Sequence, residues 1–109
     1  MAIAYKVLGQ IAPAATTATA VYTVPSATEA IVSSVVIANR GATDTTFRLA
    51  IRPDGATLSD EHYLAYDVAI TANDTMIFTI GITADASDVL EGYAGNANLS
   101  FTAFGSELT

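Results

Sequence analysis

Alternation of apolar and polar residues with a period of two runs through most of this chain and limits what it can fold into. Val, Ile, Thr, Tyr and Phe dominate the alternating segments, and a sustained apolar stripe at i, i+3, i+4 and i+7 is absent. Because a period of two fits a pleated strand and not a helix, we predict an all-β fold. At 109 residues the chain is expected to form a single domain spanning residues 1–109.

The alternation also assigns strand faces. In the segment 45–52, Phe47, Leu49 and Ile51 share one side, which we assign to the core. Ala30–Ala38 is nearly continuous in apolar residues, which predicts a central strand covered on both faces. Further strands are predicted at 5–8, 19–24, 75–83, 89–94 and 99–104, with one or two short strands within 62–70 and turn residues between the strands.

These strands are predicted to pack as an antiparallel β-sandwich. About eight short strands with regular turn signals are typical of a jelly roll or an immunoglobulin-like sandwich, with a small barrel as the main alternative. The spacing does not decide the strand order. Phe78 is expected to anchor the core, and the small-residue segment 9–18 around Pro13 is predicted to form an extended arm.

Charge and cysteine content exclude several classes of function. Eleven acidic residues against four basic ones give a net charge of −7, so neither nucleic acid nor a membrane surface is expected as a partner. Without cysteine the chain has no disulfide framework, thiolate metal site or thiol catalysis. No segment resembles an export signal or a membrane helix. Only 14% of residues are charged, which fits a surface partly covered by other subunits.

His62 is the single histidine, so acid–base catalysis would depend on it. A general base needs a nucleophile and an orienting group within reach, and the sequence offers only ordinary Ser, Thr and Asp residues. We therefore expect a loop histidine without a chemical role, no catalytic residue, no cofactor and no enzyme activity. Acidic loops serve solubility more often than calcium binding, so no metal site is predicted either. The acidic clusters considered are Asp54, Asp60 and Glu61, and Asp85, Asp88 and Glu91.

Three cations and two neighbouring tyrosines are the predicted interface residues. Arg48 and Arg52 lie four apart on one strand, hence on one outward face, where guanidinium groups suit the carboxylates of a partner subunit. Pairing with acidic residues on a neighbouring strand is the alternative. Tyr63 and Tyr66 are a candidate sugar-stacking platform, with core or rim positions as the alternative. Arg40 completes the set.

Several short motifs spread over nearly the whole chain resemble, as a pattern, a group of small proteins encoded by tailed bacteriophages, notably those of cyanobacteria and other aquatic bacteria. The motifs are Lys6-Val7-Leu8-Gly9-Gln10, Tyr22-Thr23-Val24-Pro25, Asn39-Arg40-Gly41, Phe47-Arg48, Arg52-Pro53, His62-Tyr63, Tyr66-Asp67, Asn73-Asp74-Thr75, Leu99-Ser100-Phe101 and Phe104-Gly105-Ser106-Glu107.

The resemblance implies a non-enzymatic virion component, assembled in the host cytoplasm. We expect a capsid decoration or cement protein that binds and stabilises the head shell; the alternative is a tail, baseplate or fibre component that contacts the host surface or neighbouring tail proteins. The expected partners are the chain itself, with a trimer favoured because shells have local threefold joints, and the major capsid protein or other virion proteins. Residues 9–18 are the candidate arm for draping over a neighbour.

Overall fold

Two antiparallel sheets packed face to face form the fold, which confirms the predicted all-β sandwich. The computed structural model describes residues 2–109. Two short 3-10 helices, Pro53–Gly55 and Asp60–His62, lie in the connection between the fourth and fifth strands. Within residues 2–109 no helix is long and apolar enough to cross a membrane. The strands are β1 (Ile3–Ile11), β2 (Thr19–Thr23), β3 (Glu29–Asn39), β4 (Thr45–Arg52), β5 (Tyr63–Ile70), β6 (Thr75–Phe78), β7 (Ile82–Ala84), β8 (Val89–Ala94) and β9 (Leu99–Leu108).

The strand order is that of a jelly roll. Sheet A has the order β1-β9-β3-β6, with β7 also paired to β3, and sheet B has the order β2-β8-β4-β5. The pairings are nested: β4 with β5, β3 with β6 and β7, β2 with β8, and β1 with β9. A long hairpin wound into two sheets produces this nesting. In an immunoglobulin fold the first two strands share a sheet, whereas β1 and β2 lie in opposite sheets here.

The core lies between the sheets and is centred on two phenylalanines. Phe47 of β4 and Phe101 of β9 are fully buried, with ring centroids 6.4 Å apart in an edge-on contact. The inward face predicted for β4 is confirmed, because Leu49 is also buried and Ile51 packs against this core. Phe78 contributes less than expected: it is only half-buried on the short strand β6 and meets Phe47 edge-on at 5.8 Å.

The predicted arm overlaps a strand. Residues 9–11 pair with β9 as the last part of β1, so the connection between strands covers only residues 12–18. A Cβ at Gly9 would collide with the carbonyl oxygen of Val21, so glycine allows β1 to pass close to β2. In the connection, Pro13 is buried and the amide of Thr16 donates a hydrogen bond of 2.8 Å to the carbonyl of Ala94. This segment therefore rests on its own chain.

Other boundaries differ from the prediction for local backbone reasons. The segment 75–83 forms two strands, β6 and β7, because the chain leaves the sheet between them and Gly81 takes a left-handed conformation with φ of 57°. Residues 63–70 form one strand, β5, with a bulge at Asp67, where φ is 50°. The last strand continues past Phe104 to Leu108.

Candidate interaction surface

Four of the five predicted interface residues lie on the outer surface of sheet B, which we call the polar face. Strand register places Arg48 and Arg52 of β4 on this surface beside Tyr93 and Glu91 of β8. The predicted common outward face of the two arginines is therefore present. The polar face consists of Arg48, Arg52, Tyr63, Tyr66, Asp67, Glu91 and Tyr93.

Arg48 is bound within the chain by a carboxylate and two aromatic rings. Its Nε donates a hydrogen bond of 2.7 Å to Oδ1 of Asp67. The guanidinium carbon lies 4.1 Å from the ring centroid of Tyr66 and 4.4 Å from that of Tyr93. The hydrogen bond to Asp67 holds the pKa of Arg48 above its ordinary value. The bulge in β5 brings Asp67 opposite Arg48, so the pairing is between neighbouring strands of one chain.

Tyr63 and Tyr66 pack against each other edge to face. Their ring centroids are 4.8 Å apart and the ring planes are inclined by 85°. Tyr63 is half-buried, whereas Tyr66 remains 55% exposed. The two rings therefore do not form one flat platform, although part of Tyr66 is accessible.

Arg52 ties the long connection between β4 and β5 to the sheet. Its Nη1 donates hydrogen bonds of 3.1 Å and 2.9 Å to the carbonyl oxygens of Gly55 and Ala56. Its Nε lies 3.4 Å from Oε1 of Glu91 without forming a hydrogen bond. Glu91 is buried, and its Oε2 has no hydrogen-bond partner among residues 2–109. Both members of this ion pair are therefore largely enclosed by their own chain.

Arg40, the fifth predicted interface residue, lies at the end of β3 next to sheet A. Its Nε donates a hydrogen bond of 2.7 Å to the Ser100 hydroxyl oxygen, and its Nη2 donates to the carbonyl oxygens of Ala97 and Leu99. These bonds hold the turn between β8 and β9 against β3. The side chain serves the fold in this arrangement.

His62 and the acidic clusters take part in local backbone structure. His62 ends the second 3-10 helix, is buried, and its Nδ1 accepts a hydrogen bond of 3.1 Å from the amide of Ser59. Both carboxylate oxygens of Asp88 accept hydrogen bonds from backbone amides, those of Asp54 and Asp85. Among residues 2–109 no group of three or more His, Cys, Asp or Glu side chains is placed to hold a metal ion.

The outer surface of sheet A is different, and we call it the apolar face. Residues directly opposite each other in antiparallel strands point to the same side of a sheet. The register pairs Val7 with Phe104, Ile31 with Ser106, and Val36 with Ile77, which places apolar residues of four strands on one surface. The apolar face is defined by Ile3, Tyr5, Val7, Ile31, Ile77 and Phe104.

These six side chains are open to solvent. Together these residues expose on the order of 700 Å², backbone and the Tyr5 hydroxyl included, which is comparable with the largest apolar patch of a typical monomer. A depression of about 510 Å³ lies at one end of sheet A, where Ile3 and Ile31 meet the carboxylates of Glu29, Asp85 and Asp88. A second depression, of about 470 Å³, lies between β1 and β3 and is lined by Tyr5, Lys6 and Phe104, among others. The exposed fractions are 60% for Ile3, 83% for Tyr5, 47% for Val7, 49% for Ile31, 65% for Ile77 and 39% for Phe104.

Charge is nearly absent from the apolar face. Of the strand residues that the register places there within residues 2–109, only Glu29, at one end, is charged. Lys6 points to the opposite side of β1 and donates a hydrogen bond of 2.8 Å to Glu107. Glu107 also accepts a hydrogen bond from the Tyr22 hydroxyl in sheet B, and the bonds from Lys6 and Tyr22 hold the pKa of Glu107 below its usual value. We call the side of β1 that carries Lys6 its underside; these hydrogen bonds attach it to Glu107 and sheet B. The opposite side of β1 carries the exposed side chains of Ile3, Tyr5 and Val7.

The sequence interpretation did not identify the apolar face, although a signal for it is present. Ala30–Ala38 was expected to be covered on both faces, yet Ile31 is exposed. The last strand has Phe101 in the core and Phe104 on the outside, as the alternation predicts. Strands with large apolar residues on both sides indicate that a second surface covers the sheet. Residues 2–109 supply no such cover for the outer side of sheet A.

No protein-family model, curated protein or solved structure matches this chain.

Proposed function

We propose that this protein is a non-enzymatic structural component of a tailed-phage virion, and specifically a capsid decoration protein that binds and stabilises the head shell. The observation that carries the proposal is the apolar face. Its six exposed side chains form a broad, charge-poor surface, which is the kind of surface that becomes buried against another protein.

The geometry of the face suits adhesion spread over a wide area. The exposed side chains come from four strands of sheet A and are spread across the sheet. A decoration protein gains from many equal contacts on one particle, so each interface needs only about 1,200 to 2,000 Å² of buried surface for the whole coat to remain attached. Jelly rolls recur in viral capsid domains and in lectins, which agrees with the proposal by fold-level analogy alone.

The partners in this proposal are a shell protein, such as the major capsid protein, and further copies of the chain. The net charge of −7 lies mainly outside the apolar face, so two surfaces can meet there without bringing many like charges together. The connection 12–18 packs on its own chain, although most of its residues are exposed. Its contact with a neighbour remains part of the proposal.

A tail, baseplate or fibre component is the second candidate, favoured by one observation. Tyr66 is 55% exposed on the polar face and offers part of an aromatic ring to a host glycan or a neighbouring tail protein. Copy number separates the two locations, because a shell-coating protein is present in hundreds of copies per particle and a tail component in a few dozen or fewer. Quantitative mass spectrometry of purified particles measures this number.

A binding experiment tests which face is used. Purified protein is added to particles that lack it, and bound protein is counted for the wild type, Phe104→Asp and Tyr66→Asp. Both changes place a carboxylate at an exposed aromatic position, so they are matched controls for each other. We expect at least tenfold weaker binding for Phe104→Asp and little change for Tyr66→Asp. The opposite pattern supports the tail candidate, and equal binding of all three proteins contradicts both.

A further inference from the structure

The five strands at the four sheet edges differ in how well they can accept another strand. Exposed edges are usually shortened, bulged or charged, which discourages pairing with other chains. β6 and β7 have only 4 and 3 residues, and β2 has 5 with a register shift. β5 contains the bulge at Asp67. β1 has 9 residues, and its first half, from Ile3 to Val7, pairs with β9 without interruption.

Backbone geometry shows which groups face outward from β1. Ala2 and Thr109 exchange two hydrogen bonds, of 2.8 Å and 2.9 Å, so they form a hydrogen-bonded antiparallel pair. Such pairs recur every second residue, which assigns the amide and carbonyl groups of Ala4 and Lys6 to β9. The corresponding groups of Ile3, Tyr5 and Val7 point away from the sheet. These three residues also carry exposed apolar side chains.

We propose that β1 pairs with β1 of a second copy, antiparallel and about a two-fold axis at Tyr5, so that the two A sheets join into one. Tyr5 then exchanges hydrogen bonds with the partner's Tyr5, and Ile3 does so with the partner's Val7. The proposal deepens the proposed function, on which it rests for the expectation that the chain associates with itself.

The sequence of β1 is complementary to itself in this register. On the apolar face, Tyr5 lies against the partner's Tyr5 and Ile3 against the partner's Val7, pairs of the apolar kind that stabilise antiparallel strands. On the underside, Lys6 lies opposite the partner's Ala4, so no like charges meet. Lys6 is also the usual type of residue that protects an edge, but its ammonium group is already bound to Glu107 on the underside. An isologous contact of this kind closes at two copies.

The joined sheet has a consequence for shell binding. The apolar faces of the two copies become continuous across β1, and their outward side stays free to contact a shell protein. The two-fold arrangement differs from the trimer that local threefold joints led us to favour. The strand geometry argues for two copies because antiparallel β1 pairing uses the same free edge on both.

The first test uses purified protein without particles. Light scattering after size exclusion should give the wild type twice the 11.2 kDa of the chain at high concentration. Tyr5→Pro removes the amide at the proposed axis, and this amide makes no bond to β9. We expect its dimerisation to weaken at least tenfold. The control is Ile77→Thr, an exposed substitution on the same face but away from β1, and it should dimerise like the wild type. A proline at an exposed position of β5, Tyr66→Pro, is not a suitable control because β5 is bulged there.

A second variant covers the case in which proline disturbs folding. The chain has no cysteine, so Tyr5→Cys introduces a single thiol. Residues in a hydrogen-bonded antiparallel pair have Cα atoms about 5.5 Å apart, which a disulfide can span. Mild oxidation should give a covalent dimer for Tyr5→Cys and little or none for Ile77→Cys, which is similarly exposed.

Each of the following results overturns the proposal: a wild type that stays monomeric at every concentration, a trimer, a folded Tyr5→Pro that still dimerises fully, or equal cross-linking at residues 5 and 77. Failure here leaves particle binding by the apolar face untouched, since that is measured separately with Phe104→Asp. A wild type that dimerises through β1 but does not bind particles contradicts the proposed function instead.

Discussion

The outer face of sheet B carries four charged side chains that are paired within the chain, whereas the strand residues among 2–109 on the outer face of sheet A include six exposed apolar side chains and one carboxylate. On the polar face, Arg48 meets Asp67, and Arg52 lies beside Glu91 while also binding the connection between β4 and β5. On the apolar face, Tyr5 makes no side-chain hydrogen bond or ion pair with the described residues 2–109 and is 83% exposed.

The difference shows which kind of residue marks an interaction surface in this fold. Cations on a β-sandwich strand lie within reach of carboxylates on the next strand, so the chain itself readily satisfies them. Exposed apolar side chains on the outer face of a sheet cannot be buried by their own chain once the core is filled. The guanidinium groups that suggested a partner therefore brace the domain, and the surface available to a partner is the one with almost no charge.

The largest effect of a single substitution on these faces is expected at Glu91. Glu91→Ala removes the carboxylate beside Arg52 and leaves a largely enclosed guanidinium without its counter-charge, which should lower the free energy of unfolding by about 2 kcal/mol. Urea unfolding measures the loss. Glu29→Ala on the apolar face is the matched control, because that carboxylate is exposed, and it should change stability by less than about 0.5 kcal/mol.

A double variant sharpens this prediction. Replacing both partners with apolar residues, Arg52→Met with Glu91→Leu, removes the unpaired charge, so its cost should be smaller than that of Glu91→Ala. If Glu91→Ala unfolds at the same urea concentration as the wild type, the polar face is not braced by this pair. Its residues would then be as available to a partner as those of the apolar face.

The sequence predicted much of the fold because the period of two is a local signal. Phe47 and Leu49 were assigned to the core correctly, and the all-β sandwich followed from the same alternation. The choice between a jelly roll and an immunoglobulin-like order depends on which strands pair, and pairing depends on residues far apart in the chain, such as Val7 and Phe104. The spacing of residues along the chain therefore does not predict which strands pair.

The candidate site was harder to predict for the same reason. Arg48 and Arg52 were placed on one outward face correctly, but their pairing depends on Asp67, which reaches Arg48 only through the bulge in β5. The apolar face brings together residues from β1, β3, β6 and β9, so it appears only when the sheet order is known. The local indications of it in the sequence are large apolar residues on both sides of β3 and of β9, such as Ile31 and Phe104.

A smaller, pH-dependent effect on the free energy of unfolding is expected from Glu107, which binds the underside of β1. Hydrogen bonds from Lys6 and Tyr22 hold the pKa of Glu107 below its ordinary value of 4.5, so the folded state binds this proton less readily than the unfolded chain. The resulting stabilisation is fully present above about pH 4.5 to 5 and is lost as the pH falls through the folded-state pKa. It should amount to no more than about 1 kcal/mol, because Lys6 is half-exposed and solvent screens an ion pair of this kind.

The measurement compares urea unfolding of the wild type and Glu107→Gln between pH 7 and pH 3. Other carboxylates titrate in both proteins, so the difference between the two profiles isolates Glu107. We expect the wild type to be more stable at pH 7 and the difference to shrink towards pH 3. A difference that stays constant over this range would mean that β1 is not fastened through the charged form of Glu107, and that its two sides differ less than the structure indicates.

The smallest effect on stability is expected for a substitution of a highly exposed apolar side chain. Ile77 is 65% exposed on the apolar face, and Ile77→Thr keeps a β-branched side chain that fits a strand, so the free energy of unfolding should change by less than about 0.5 kcal/mol. Ile70→Thr is the matched change at a buried position, 1% exposed, and should cost about 2 kcal/mol because it places a hydroxyl in the core. Urea unfolding at a low protein concentration, where the chain is monomeric, measures both.

A loss for Ile77→Thr that approaches the loss for Ile70→Thr would show that the folded chain already covers the apolar face, and the contrast between the two outer faces would then fail. If Ile77→Thr is as stable as the wild type but binds particles less well, the lost free energy comes from the contact with a partner, because that contact would bury the exposed side chain of Ile77.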